Sequence, residues 1–244
     1  MRPLLRWLAV CGCAFLALQL FFVVRIAAMA VLDPQSTAFE RSEAWRILND
    51  KGASPWRQQW VPYAQISDHL KRAVIASEDD GYAQHEGVDW DALEKAWQKN
   101  SRAEELAARR AAAAREGQTR APKVVGGSTI TQQLAKNLFL SGERTLLRKG
   151  QELVLTLLLE ALLDKQRILE IYLNHVEWGE GVFGAQAAAE RYFRKSAAKL
   201  TPAEAARLAV MLPRPKYFEK LPNSAYVSGR ASTILARMPD ARLP

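Results

Sequence analysis

The chain has 244 residues, of which 49% are hydrophobic and 25% charged, so it can bury a core in one domain with at most an appendage. Its formal net charge of +8 favours an anionic partner: a nucleic acid, an anionic membrane surface or a phosphorylated substrate. Three histidines and two cysteines are too few to support a zinc framework or a Ser/His/Asp order, and both cysteines, Cys11 and Cys13, lie in an apolar stretch where no disulfide framework can form.

The first predicted element is a membrane-spanning helix over residues 7–32, preceded by a short tail at 1–6. Residues 7–24 carry no charge and, as a helix, would cover about 27 Å, close to one hydrocarbon core. A cleaved signal peptide is the alternative, but the span is long for one and no A-x-A site ends it convincingly. The pattern therefore favours a retained anchor.

The charges around this span indicate its orientation. Arg2 and Arg6 precede it and Asp33 follows it, whereas Arg25 lies inside it and can extend its side chain to the far interface. We expect a single-pass protein of the cell inner membrane, with a cytoplasmic N-terminus and the body exported to the periplasm.

The next predicted segments are a membrane-proximal connector at 33–65, rich in tryptophan and proline, and then a helix. The helix has apolar residues at helical spacing from Ile66 onward, with Ser67 or Asp68 as its N-cap. Residues 99–123 are rich in Ala, Arg and Glu, which predicts a solvated helix or a flexible insertion without core residues.

Almost everything after the insertion has a helical pattern. Thr201, Pro202 and Glu204 form a capping box with proline at the first helical position, which predicts a helix that ends by Pro213. Because strand signals are scarce, the fold class is expected to be mostly α.

The stretch GGSTITQQLAKN, residues 126–137, suggests an anion site. It is not a nucleotide P-loop, because Gly127 stands where that motif has lysine. Thr129 and Gln132 form a capping box, so a helix should begin at Ile130 with open N-terminal amides. An ordinary capped surface helix is the alternative.

Two clusters of charged residues are candidates for chemistry. In the first, Glu78, Asp79 and Asp80 end a helix, where they oppose its dipole, and a partly desolvated carboxylate there would have the raised pKa of a general base. The alternative is a solvated acidic turn. In the second, Arg148 and Lys149 lie four and three residues before Glu152, so the three can converge, or they can form a simple surface salt bridge.

Five stretches together resemble a known family. SEDDGYAQHEGVD, GGSTITQQLAKN, RKGQE, KQRILEIYLN and the glycine loop before AAAERYF occur in the order of the motifs of the peptidoglycan glycosyltransferases, the lysozyme-like family fifty-one. The resemblance covers roughly residues 66–218 and points to the stand-alone members, because no room remains for a transpeptidase domain. Tyr82 stands where the family usually has Phe, and the insertion at 99–123 is longer than is typical.

The resemblance implies a fold and an activity. The fold would be mostly α, a lysozyme-like helical domain over 66–244 behind one transmembrane helix. The enzyme would polymerise lipid II by inverting transfer of a glycan chain from undecaprenyl pyrophosphate to the 4-hydroxyl of lipid II.

Residue roles carry over from the same motifs. Glu78 would be the general base, with Asp79 and His85 supporting its corner. Glu152, the second glutamate of the family, would be the second catalytic residue and would orient the cations that neutralise the pyrophosphate. Those cations are Lys136, Arg148 and Lys149. The donor site would be lined by Ser128, Thr129, Gln132, Gln133 and Asn137.

The resemblance requires no cofactor, although a divalent cation, Mg²⁺ or Mn²⁺, is compatible with a pyrophosphate; no metal-ligand spacing is present. The implied partners are the lipid-linked substrates, the membrane and proteins of a cell-wall synthesis complex, not a nucleic acid. One rival is a glycan-cleaving hydrolase or lytic transglycosylase, which has no use for cations at a pyrophosphate site. A second rival is a non-enzymatic membrane scaffold with relic motifs.

Overall fold

The computed structural model describes residues 2–52, 56–113, 126–143 and 145–244, and the side chains of residue 2 and of 110–113 lie outside this description. As the sequence predicts, the described part is mostly helical. The α-helices are α1 (Arg2–Ala28), α2 (Ala38–Lys51), α3 (Asp68–Glu78), α4 (Trp90–Ala113), α5 (Ile130–Phe139), α6 (Leu146–Leu162), α7 (Lys165–His175), α8 (Ala185–Phe193), α9 (Pro202–Met211), α10 (Pro215–Phe218) and α11 (Ala225–Arg237). The strands are β1 (Arg57–Gln58), β2 (Glu177–Gly179) and β3 (Val182–Phe183).

The helix α1 is long and apolar enough to cross a membrane. It includes residues 2–6, placed in the tail by the sequence, and it ends at Ala28, so that only the last residues of the predicted span 7–32 form a turn. Most of its side chains are exposed, but Phe22, Ile26 and Met29 are buried against the body. Their i, i+4, i+7 spacing places them on one helix face, so the C-terminal end of the apolar helix is docked on the domain.

The segment 33–65, expected to be a connector, packs into the domain. Thr37 and Glu40 form a capping box that starts α2, and the buried Glu40 carboxylate lies 2.8 Å from Nδ1 of His175 on α7. Further along, the amide of Val61 donates to the side chain of Asn174 at 2.9 Å. The packed body therefore begins well before the expected boundary at residue 66.

A small sheet with the order β1-β3-β2 joins this segment to the glycine loop. β1 runs parallel to β3 and pairs Arg57 with Val182, while β2 and β3 form an antiparallel hairpin. The loop then enters α8 through Gly184, which has a φ of 82°. A Cβ atom at this position would lie 2.6 Å from the carbonyl oxygen of Asn174, so only glycine fits here.

The helices pack in two groups that share one apolar core. α3, α9 and α11 pack together on one side, and α5 packs against α2, α6 and α7 on the other. Trp178 is fully buried in the core, where its indole N–H donates to the carbonyl oxygen of Leu208 at 3.1 Å. The ends of α3 and α5, which carry two of the sequence motifs, thus meet at the boundary between the groups.

More than half of the predicted insertion is a helix. α4 continues to Ala113, and most of the described side chains from residue 99 to residue 109 are exposed, as in the solvated helix that was one of the two expectations. Residues 114–123 of the insertion lie outside the described residues.

Candidate active site

A cleft runs between α5, the loop after it and the start of α6; we call it the α5–α6 cleft. It takes in most of the residues that the sequence assigns to substrate binding. Seven of them line it, together with Glu152, which the sequence assigns as catalytic: Ser128, Gln132, Gln133, Lys136, Asn137, Arg148 and Lys149. Two separate motifs, one on α5 and one on α6, therefore share a single cavity.

The cations of this cleft surround a buried carboxylate. Glu152 is almost completely buried, and it receives Nη1 of Arg148 at 2.9 Å on one oxygen and Nζ of Lys149 on the other. Nε of Arg148 is buried and has no hydrogen-bond partner among the described residues. Because one carboxylate holds two cations, the cluster keeps a positive charge and a spare donor for an anion.

Glu78 ends α3 one hydrogen bond away from the cleft. Its Oε2 accepts from Nε2 of Gln133 at 3.2 Å, and its Oε1 accepts from Oγ of Ser77 at 3.3 Å. Tyr172 fixes the same amide by donating its hydroxyl to Oε1 of Gln133 at 3.0 Å. Burial raises the pKa of the Glu78 carboxyl above its usual value, although the bonds from Gln133 and Ser77 oppose the rise.

The neighbouring Asp79 has a different task. Its Oδ2 accepts the amide N–H of Ile130 at 2.9 Å, and its Oδ1 lies 2.8 Å from Nε2 of His85. Asp79 therefore joins the end of α3 to the start of α5 and to the following loop.

These bonds contradict the expectation that α5 begins with open amides. Ile130 gives its amide to Asp79, and Gln132 gives its amide to Oγ1 of Thr129, whose hydroxyl also donates to the carbonyl oxygen of Gly87 at 2.6 Å. The helix N-terminus is occupied by the protein's own carboxylate, because an anion within the chain satisfies the dipole as well as a ligand would. Asp79, His85 and Thr129 hold this corner and do not line the α5–α6 cleft.

A second cleft begins at Glu78 and runs between the end of α3 and α4; we call it the α3–α4 cleft. Ser128 lines both clefts, and Lys95 and Lys99 of α4 line this one. The helix α4 lies close to the backbone at Gly127, where an added Cβ would lie 3.3 Å from Cβ of Ala96. The glycine that suggested a phosphate site thus makes room for α4.

Some residues of the site escaped the sequence analysis. Phe39 of α2 and the loop 140–143 also line the α5–α6 cleft. The capping box of Thr37 and Glu40 was the available signal, since it shows that a helix, and not a connector, places Phe39. Tyr82, which departs from the usual Phe, is buried and donates its hydroxyl to the carbonyl oxygen of Lys165 at 2.7 Å.

Among the described residues, no group of three or more His, Cys, Asp or Glu side chains is arranged to hold a metal ion.

Comparison with known proteins agrees with this geometry. The family model described as Transglycosylase matches residues 46–239. The chain belongs to the transglycosylase family. The match begins within α2, before residue 66. This agrees with the packing of the segment 33–65 into the domain.

Full-length relatives carry a more specific description. A protein named biosynthetic peptidoglycan transglycosylase from Burkholderia thailandensis is 53% identical over 100% of this chain and 90% of its own length. Proteins of the same name from Burkholderia pseudomallei and Paraburkholderia xenovorans are 52% and 49% identical, over 100% and 98% of this chain and 90% and 94% of their own lengths. These transglycosylases resemble the chain from its apolar helix to its last helix.

Proposed function

We propose that this chain polymerises lipid II, transferring a glycan chain carried on undecaprenyl pyrophosphate to the 4-hydroxyl of lipid II. The broader activity, glycosyl transfer in peptidoglycan synthesis, follows from the family and from relatives that match the chain over its whole length. The donor, the acceptor and the residue roles are the proposal.

The observation that carries the proposal is the placement of one acid beside one cation cluster. Glu78 bonds Gln133, and Gln133 lines the same cleft as Arg148 and Lys149. Glycosyl transfer from a lipid diphosphate needs a base at one end of the reacting sugar and positive charge at the other. A glycan-cleaving enzyme needs an acid but no such cations.

The proposed step uses these groups in order. The ionised Glu78 carboxylate takes the proton of the acceptor 4-hydroxyl as that oxygen forms a bond to the donor anomeric carbon. The bond from this carbon to the diphosphate breaks on the opposite face, so the configuration inverts. Lys136, Arg148 and Lys149 stabilise the negative charge that develops on the departing diphosphate, and Glu152 keeps the two α6 cations in place.

A divalent cation at the diphosphate is compatible with this step but is not required by it. Glu152 is the acid held among the α6 cations, and both of its oxygens already bind them. An Mg²⁺ or Mn²⁺ ion would therefore be bound mainly by the diphosphate itself. Titrating a chelator during polymerisation measures this contribution, which we expect to be partial.

The apolar helix supports a location at the inner membrane. We propose a cytoplasmic N-terminus and a periplasmic domain, since the substrate lipid is reached from the bilayer and α1 docks on the domain at its C-terminal end through Phe22, Ile26 and Met29. In this position the domain can also meet proteins of a cell-wall synthesis complex. A reporter fused to the C-terminus, active only in the periplasm, tests the topology.

Purified full-length protein incubated with lipid II tests the reaction. Polymer accompanied by free undecaprenyl pyrophosphate is expected, whereas shortening of preformed glycan would support a cleaving enzyme instead. Glu78→Gln should abolish polymerisation, and Glu105→Gln, on an exposed part of α4 outside both clefts, is the matched control. Polymerisation by the Glu78→Gln protein would remove Glu78 from its role.

A further inference from the structure

In the α3–α4 cleft most carboxylates have partners within the protein, whereas two lysines do not pair with any described residue. Three of its carboxylates are engaged within the protein: Asp79 as described, Asp80 with Nη2 of Arg237 at 3.0 Å, and Asp89 with the amide of Ala92 at 2.8 Å. The remaining one is Glu78, which the reaction uses. The acids of this cleft are thus committed before any ligand arrives.

Its two lysines are not committed. Lys95 and Lys99 both line the cleft, and neither makes a side-chain hydrogen bond or ion pair with any described residue. Because they are four residues apart on α4, their ammonium groups lie on one helix face and act on the same space. The pair is therefore an unpaired double positive charge next to the reacting acid.

The backbone that carries the lysines is positioned by the fold. α4 starts on the bond from Ala92 to Asp89, and Ala96, between the two lysines, is buried against Gly127. A side chain at residue 127 would press on α4, so the glycine sets how near the lysines come to Ser128 and Glu78. Their closeness to the reaction centre is specified by packing.

Two saccharides must meet at Glu78 if the chain joins them. The α5–α6 cleft has the cation cluster suited to a diphosphate, so the α3–α4 cleft, which also reaches Glu78, is left for the adjoining saccharide. A peptidoglycan precursor carries a peptide on its sugar, and this stem peptide bears free carboxylates. Lysine is a compact, flexible charge that suits such mobile groups.

We propose that Lys95 and Lys99 bind carboxylates of the stem peptide on the saccharide that occupies the α3–α4 cleft. The chain thereby selects substrate by the charge of its peptide as well as by its sugar and lipid. This inference rests on the proposed function for the identity of the substrate and adds a subsite to it.

The test compares two forms of lipid II in non-ionic detergent without phospholipid: one with free stem carboxylates and one in which they are amidated. Lys95→Gln/Lys99→Gln is compared with Lys199→Gln/Lys220→Gln, which removes the same charge from exposed positions outside both clefts. For acidic lipid II we expect the first variant to raise KM about three- to tenfold with kcat little changed, as for two partly exposed ion pairs. For amidated lipid II it should match the wild type.

An equal rise of KM on both substrates, or no rise on either, would overturn the subsite. Lysines that served only anionic lipid headgroups would give no rise on either substrate, because no such headgroups are present in the assay. Loss confined to acidic lipid II is an outcome that a merely structural role cannot give.

A binding measurement separates this inference from the proposed reaction. Fluorescent lipid II is titrated into Glu78→Gln protein with and without the two lysine substitutions, so that no turnover is needed. Tighter binding of the acidic form that disappears with the lysines supports the subsite even if polymerisation fails. Equal binding of both forms overturns it even if polymerisation succeeds.

Discussion

Gln19 of α1 and Gln151 of α6 are joined by both side-chain amides, with Nε2 of Gln19 lying 3.4 Å from Oε1 of Gln151 and Nε2 of Gln151 lying 3.3 Å from Oε1 of Gln19. Gln19 is a polar residue in the middle of the apolar helix, whereas Gln151 lies directly before Glu152, which holds the cations of the cleft. The apolar helix α1 is thus hydrogen-bonded to the turn of α6 that we propose binds the diphosphate.

Gln19→Leu should lower kcat/KM for lipid II about two- to fivefold in full-length protein. The reason is that hydrogen bonds between apolar helices contribute roughly 1 kcal/mol, and losing them loosens α6 relative to α1. Leu20→Ala, on the exposed part of the same helix, should leave kcat/KM unchanged.

Gln151→Leu and the double variant Gln19→Leu/Gln151→Leu complete a double-mutant cycle. Because replacing both partners leaves no unsatisfied amide, we expect its loss to be smaller than the combined losses of the single variants. Additive losses would show that the two amides act separately.

Glu78 and Asp79 are adjacent but should respond oppositely to amide substitution. Glu78→Gln should abolish turnover, a loss in kcat of at least about 10²–10⁴, while keeping or raising the melting temperature at pH 7, because the ionised carboxylate is partly desolvated. Asp79→Asn should lower the melting temperature, because the buried carboxylate accepts from Ile130 and bonds His85 at once, and such charged bonds contribute about 1.5–3 kcal/mol each. Thermal unfolding and turnover are measured for both variants. A lower melting temperature for Glu78→Gln would contradict the predicted opposite responses.

Gln133→Ala should move the acid limb of the pH–rate profile to higher pH. The hydrogen bond from Gln133 lowers the pKa of Glu78, so its removal lets burial raise that pKa further, and the base stays protonated to a higher pH. The position of the limb, not the height of the profile, is the measurement. Asn137→Ala changes the same cleft without touching Glu78 and should leave the limb in place. A limb shifted to lower pH would exclude Gln133 as the partner of the base.

The features that the sequence predicted well are local ones. The caps at Thr129 and Thr201 occur as expected, and Ser67 is the N-cap of the two candidates named for α3, because a cap depends on residues within one turn. The convergence of Arg148 on Glu152 was predictable for the same reason, since a spacing of four residues on a helix fixes their approach.

The features that it missed depend on how distant helices are placed. The bond between Glu78 and Gln133 joins residues 55 positions apart, and that between Glu40 and His175 joins residues 135 apart. No local pattern measures such a distance. The open amides expected at Ile130 failed on the same ground, because Asp79, 51 residues earlier, reaches that helix start.

Two neighbouring glutamates of the glycine loop should give stability profiles of opposite sign. Burial raises the pKa of Glu177 from 4.5 to about 7, partly opposed by Lys216, whose Nζ lies 3.6 Å from an Oε1 without a hydrogen-bond partner among the described residues. The folded state then holds a proton that the unfolded state releases, so the contribution to stability is complete below pH 4.5 and is lost as pH rises through about 7. Glutamine at position 177 cannot ionise. The free energy of unfolding of Glu177→Gln should therefore rise relative to that of the wild type between pH 5 and pH 8, by up to about 3 kcal/mol.

Glu180 supplies the matched control for that measurement. Hydrogen bonds from Lys51 and Arg46 lower the pKa of Glu180, so its contribution is present above pH 4.5 and is lost as pH falls through the lowered value. Glu180→Gln should therefore be less stable than the wild type at pH 8 and should approach it in acid, although the exposure of the pair keeps the effect small. Unfolding both variants in detergent across this pH range checks the sign directly. If Glu177→Gln lost stability relative to the wild type as pH rose, the inference that burial raises the pKa of Glu177 would be contradicted.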